Sequence, residues 1–163
     1  MIKNNRGITM IMLVVTIIVL LILTGVSINT SETFMTDIRA SRIISNMELV
    51  KSKAENIYEA NQFDSENNSL IGTTVTLSTS IISSEENKLI KDKTGKNISE
   101  LVWYRWDRNT LTSLGLDEKM LDSAEDYFYV NYENSEVVCS SGTKFDGVTY
   151  YSMIGLKYML KNK

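Results

Sequence analysis

Residues 5–28 read NRGITMIMLVVTIIVLLILTGVSI, and no other stretch limits so strongly what this chain can become. Gly7 separates a short basic head, carrying Lys3 and Arg6, from a run with no charge before Glu32. From Ile8 to Ile28 only Thr9, Thr16, Thr24, Gly25 and Ser27 interrupt the apolar residues. As a helix rising about 1.5 Å per residue, the run spans roughly 30 Å, the thickness of bilayer hydrocarbon. Val14, Val15, Ile17, Ile18 and Val19 form helix poorly in water, but lipid forces backbone hydrogen bonds inside the segment and overrides that preference. The basic residues on the short side predict a cytoplasmic N-terminus, with the bulk of the chain outside. A buried core helix is the alternative; for so small a domain the run is too apolar on every face.

An export signal competes with an anchor. Its apolar region is shorter, about 7–15 residues, and ends at small residues. Gly25-Val26-Ser27 offers a weak small-x-small match, yet the residues after it do not resemble a mature N-terminus. They read as more helix. Apolar residues recur at Phe34, Ile38, Ile43 or Ile44, Met47, Val50, Ala54, Ile57 and Tyr58, in the steps of three and four that mark one helical face. Asp37, Arg39, Arg42, Glu48, Lys51, Lys53 and Glu55 fill the opposite face. The chain has no proline, and before the polar loop at 61–69 only Gly25 could bend or loosen the helix without needing to end it, so one rod of roughly 80 Å is expected.

Composition argues against chemistry. The chain has no histidine, which removes imidazole triads, most zinc sites and the commonest general base at neutral pH. A net charge of −3 does not suggest a nucleic-acid binder. Cys139 is alone and cannot close an internal disulfide; it reads as a small strand residue, with an intermolecular thiol as the alternative.

The basic leader, the glycine and Ile-Thr-Met-Ile-Met-Leu-Val-Val-Thr-Ile-Ile resemble the N-terminal signal of type IV prepilins and type II secretion pseudopilins. The resemblance implies a membrane peptidase that cuts between Gly7 and Ile8 and methylates Ile8. It also implies that the apolar helix is kept, first as an anchor and then in a filament core. The domains it predicts are a leader at 1–7, a transmembrane and filament-core helix at 8–28, an amphipathic continuation at 29–62, and an extracytoplasmic β-rich domain at 63–163. Val14, Ile17, Ile18, Leu21 and Leu23 would supply packing between subunits, with Gly25 allowing close approach. One position departs from the pattern. The family's glutamate at the fifth mature position, which pairs with a neighbour's terminal amine, is Met12 here. A buried carboxylate needs such a partner, so its loss suits a minor or tip subunit, or a lineage without the pair.

The fold class expected is α+β and pilin-like, with the helix laid on a small antiparallel sheet. Thr73–Ile82 and Leu101–Trp106 read as strands, and Lys88–Asn97 as a lysine-rich solvated loop. Asp107 or Asn109 could cap a short helix stopping at Gly115. Residues 127–140 read as a hairpin about Glu133-Asn134-Ser135, and Asp146-Gly147 as a second turn. The final MIGLKYMLKNK could be a short helix or an edge segment. This half also resembles pilin-like proteins of low-GC Gram-positive bacteria.

Other candidates carry bland readings beside functional ones. The aromatic set Trp103, Tyr104, Trp106, Tyr127, Phe128, Tyr129, Tyr132, Tyr150 and Tyr151 reads as cross-strand packing, with a base-stacking platform as the alternative. Asp117, Glu118, Asp122, Glu125 and Asp126 read as a solvated acidic loop, with the calcium loop of pseudopilins as the alternative. The function expected is a pilin-like filament subunit, not an enzyme, without cofactor. Its partners would be prepilin peptidase, other pilin-like subunits, the membrane and, indirectly, an assembly platform and ATPase, with no nucleic acid. The competing functions are an uncleaved, membrane-anchored binding or sensor domain and, less supported, a membrane-tethered enzyme.

Overall fold

The computed structural model describes residues 6–63, 70–145 and 147–162; side chains at 6–9, 11 and 23–34 also lie outside the description. Its architecture is α+β, an N-terminal helix and a five-stranded antiparallel sheet. The chain divides into two compact units, Met1–Asp37 and Ile38–Lys163.

Helix α1 covers Arg6–Phe63. In the second unit its face of Ala40, Ile43, Ile44, Met47, Val50 and Ala54 is buried, with Ile57 and Tyr58 packed partly against the same core. Ile38, expected on this face, is 50% exposed. The reason is angular: at 3.6 residues per turn, position 38 lies opposite Met47 and nearly opposite Ala40.

The sheet is a meander of β1 (Thr73–Val75), β2 (Trp103–Trp106), β3 (Phe128–Asn131), β4 (Glu136–Phe145) and β5 (Val148–Ser152), paired in that order. The β3–β4 hairpin forms where the alternation places it, but its ladder closes at Asn131–Glu136. The connection is therefore one residue longer than expected. Tyr132 leaves the ladder for the core, and Asn131 Oδ1 accepts from Asn134 N at 2.8 Å to close the turn.

Two segments correct the sequence reading. Of Thr73–Ile82 only Thr73–Val75 is strand. Beyond it the serines bond locally, Ser80 N to Ser78 Oγ and Ile81 N to Ser78 O, and that competes with a ladder. Lys88–Asn97 is not a solvated loop, because most of it belongs to helix α2 (Ser84–Thr94). Ser83 Oγ accepts from Glu86 N at 3.1 Å to open that helix, and Gly95, at φ 78°, closes it by donating to Lys91 O. Its lysines do face water, but Ile90 is fully buried.

Trp106, Phe128, Val130, Val137 and Cys139 pack with α1 and with helix α4 (Met153–Lys161), which Ser152 caps. Trp103 and Val138 pack instead with Leu77, Ile82, Ile90, Ile98 and Leu101. Strand side chains alternate between faces, so these two clusters cover both sides of the sheet.

Asp107 opens helix α3 (Arg108–Ser113), accepting from Thr110 N at 2.8 Å and Thr110 Oγ1 at 2.7 Å. Those two bonds hold its carboxyl below the usual range. A depressed folded pKa adds stability above the unfolded pKa, lost as pH falls through the folded value. Asp107→Ala is therefore expected to cost about 1 kcal/mol in urea unfolding at neutral pH, with the difference shrinking as acid protonates the cap.

Candidate functional site

The first unit carries the residues that the sequence singles out. From Met12 to Ile22 the large apolar side chains are each between 46% and 68% exposed, among them Met12, Val14, Ile17, Ile18 and Leu21. These positions point in every direction around the helix axis, so no face of this stretch is buried. Thr16 is the polar residue within it. Its hydroxyl donates back to Met12 O at 2.9 Å and Leu13 O at 2.8 Å, so its donor is satisfied inside the helix and suits an apolar surrounding. Met12 adds a thioether and no charge.

The leader at 1–5 and the side chains of Gly7, Ile8, Leu23 and Gly25 lie outside the described residues. Among the described residues no helix is long and apolar enough to cross a membrane. The side chains described without interruption in the 8–28 run are those of Met12–Ile22, about half the length that a span requires.

Three of the five acidic candidates, Asp117, Asp122 and Asp126, are engaged within the second unit. Asp122 binds Arg39 at 3.1 Å and Arg42 at 2.5 Å, tying its loop to α1. Asp117 accepts from Lys119 N, and Asp126 accepts from Ser123 N and Ser140 Oγ. Among the described residues no group of three His, Cys, Asp or Glu could hold a metal. Trp103, Trp106 and Phe128 are fully buried, and Tyr132 and Tyr150 nearly so, which makes them core. Tyr127 lies under Arg105, whose guanidinium carbon is 4.8 Å from the ring centre. Cys139 is buried on β4, its Sγ 3.1 Å from Ser141 Oγ, and burial pushes its thiol pKa up.

Sequence reasoning missed two fully buried acids, Glu86 and Glu136. Glu86 Oε1 accepts from Tyr151 N and Ser152 N, each at 2.9 Å, and from Ser152 Oγ at 2.8 Å. Its Oε2 is buried without a hydrogen-bond partner. Glu136 Oε2 meets Lys93 Nζ at 2.6 Å, and its Oε1 accepts from Ile154 N at 3.2 Å. Both carboxylates thus gather backbone N–H groups about the β5–α4 junction: Glu86 from the last two residues of β5, and Glu136 from the first turn of α4, where helix donors lack intrahelical partners. The Ser83-x-x-Glu86 spacing was a legible helix-start signal, but it implies a glutamate folded back on its own cap. Here the side chain reaches β5 instead. The pair fixes α2 and α4 to the sheet and includes no nucleophile.

Comparison with known protein families, curated proteins and solved structures finds no match to this chain.

Proposed function

We propose that this chain is a pilin-like subunit, minor pilin or pseudopilin, of a type IV pilus or type II secretion-like filament. In this reading it is made as a single-pass membrane precursor with a cytoplasmic N-terminus and cut after Gly7. It then assembles through its N-terminal helix with the sheet domain outside. The observation that carries the reading is the contrast within α1. From Ala40 to Ala54 the helix buries one face in its own domain, whereas from Met12 to Ile22 its apolar side chains have no cover on any side. Such a stretch needs lipid or sibling helices, and the resemblance around Gly7 names the family in which one replaces the other. The role is structural, and no catalysis is assigned.

Mass spectrometry of the mature N-terminus tests it. A chain beginning with methylated Ile8 is the expected result; an intact Met1 identifies a plain anchored domain and overturns the proposal. Gly7→Phe is expected to hold the protein as its precursor, visible as a mass retaining residues 1–7. Met12→Glu should be incorporated normally if neighbours pair through the usual amine. Loss of incorporation with membrane insertion intact would mean that this lineage packs position 12 against apolar groups.

A further inference from the structure

The last turns of α1 and strands β2 and β3 frame a surface pocket of about 150 Å³. It is lined by Tyr58, Tyr104 and Tyr132, by the aliphatic Leu70 and Val102, and by Asn131 and Glu133. Tyr58 lies nearly parallel to Tyr132, with ring centres 6.4 Å apart, and Tyr104 stands edge-on to Tyr132 at 4.9 Å. Two of the polar lining residues, Tyr132 and Asn131, are already engaged. Tyr132 donates its hydroxyl to Ile71 O at 2.9 Å, and burial raises its pKa to about 12, so it stays a neutral phenol at ordinary pH. Asn131, also in the wall, donates to Val102 O and accepts from Asn134 N. The Glu133 carboxylate is held only by a loose ion pair with Lys96, which an incoming cation can displace. Lys96 comes within 3.9 Å of it, too far for a hydrogen bond, and both side chains are more than half exposed.

We infer that this pocket receives the lysine or arginine side chain of a partner polypeptide. The electron-rich faces of tyrosine rings attract a cation, Glu133 completes its charge, and Leu70 and Val102 match the apolar stem of a long basic side chain. Size sets the class of occupant. Pockets for drug-sized ligands hold roughly 300–1,000 Å³, so this one admits a single side chain and not a cofactor. One such contact binds weakly alone and works as an anchor within a wider surface. The inference stands on the sheet domain's geometry and is independent of the filament reading.

The test is a titration of the full chain, ¹⁵N-labelled in non-ionic micelles, with acetyl-lysine methylamide, acetyl-arginine methylamide and the uncharged acetyl-norleucine methylamide. The cationic probes are expected to shift the amides of Val102, Tyr104, Tyr132 and Glu133 saturably in the millimolar range, with norleucine at least about fivefold weaker. Glu133→Gln, at an exposed position compatible with folding, should weaken the cationic probes about fivefold and leave norleucine unchanged. Tyr104→Ala should abolish the shifts. Equal response to norleucine, an unaffected Glu133→Gln variant, or no response to either cation would overturn the assignment.

Discussion

Gly155→Ala is expected to destabilise the protein by about 2 to 3 kcal/mol, as overpacking in a close-fitted core does. The sign makes this informative. Gly155 lies inside α4, where helix propensity alone would make alanine about 1 kcal/mol better than glycine. Space decides otherwise. A Cβ at this position would lie 2.7 Å from Glu86 Cγ and closer still to Glu86 Oε1. Glu86 cannot easily retreat, because Oε1 holds two backbone N–H groups and the Ser152 hydroxyl, and the whole side chain is buried. Glu86→Ala alone should cost a similar amount by leaving Tyr151 N and Ser152 N without their acceptor. Combined, Glu86→Ala and Gly155→Ala should cost at least about 1 kcal/mol less than the sum of the two, since removing the Glu86 side chain makes room for the new methyl, which fills part of the space left. Urea unfolding followed by the fluorescence of buried Trp103 and Trp106 measures all three variants. Strict additivity would mean that the glycine is required for some reason other than the carboxylate packed on it.

What the sequence reveals and what it hides both depend on distance along the chain. The amphipathic face of α1, the Asp107 cap and the β3–β4 hairpin are signalled by neighbours within a few residues, and each lies close to its expected place. Helix α2 is signalled too, by Ser83 at one end and Gly95 at the other, but the lysines between them read more loudly as a loop. Thr73–Ile82 misleads for the opposite reason: alternating threonine and serine fits a strand and equally fits hydroxyls that turn the chain. Ile38 shows how little error a helical face tolerates, because a shift of two positions moves a side chain to the far side. The buried acids were beyond reach. Glu86 finds its partners on β5, and Glu136 finds Lys93 on α2; no local pattern encodes a contact between segments so far apart. The tyrosine pocket is hidden in the same way. Its rings come from α1, from β2 and from the residue just after β3, and only the meander brings them together.

Lys93→Met should be the second large loss, about 2 kcal/mol or somewhat more. Glu136 is fully buried on β4, and its Oε2 has Lys93 Nζ at 2.6 Å as its charged partner. Removing one member of a buried pair leaves a desolvated charge, which typically costs about 3–5 kcal/mol. The lower figure applies here because the Lys93 side chain is 37% exposed, so water can follow the vacated ammonium toward the carboxylate. The remaining bond, from Ile154 N to Oε1 at 3.2 Å, is too long to carry the charge alone. Glu136→Gln on the Lys93→Met background should recover most of the loss, because a neutral amide keeps an acceptor for Ile154 and no longer needs a cation. Methionine preserves the length and apolar stem of lysine, so the comparison isolates charge from packing. If Lys93→Met unfolds at the same urea concentration as the parent, the ammonium contributes nothing, and α2 is held to the sheet by Ile90 and its apolar neighbours. If the double variant is as unstable as the single one, the lysine acts through its packing, and the burial of Glu136 requires another source of compensation.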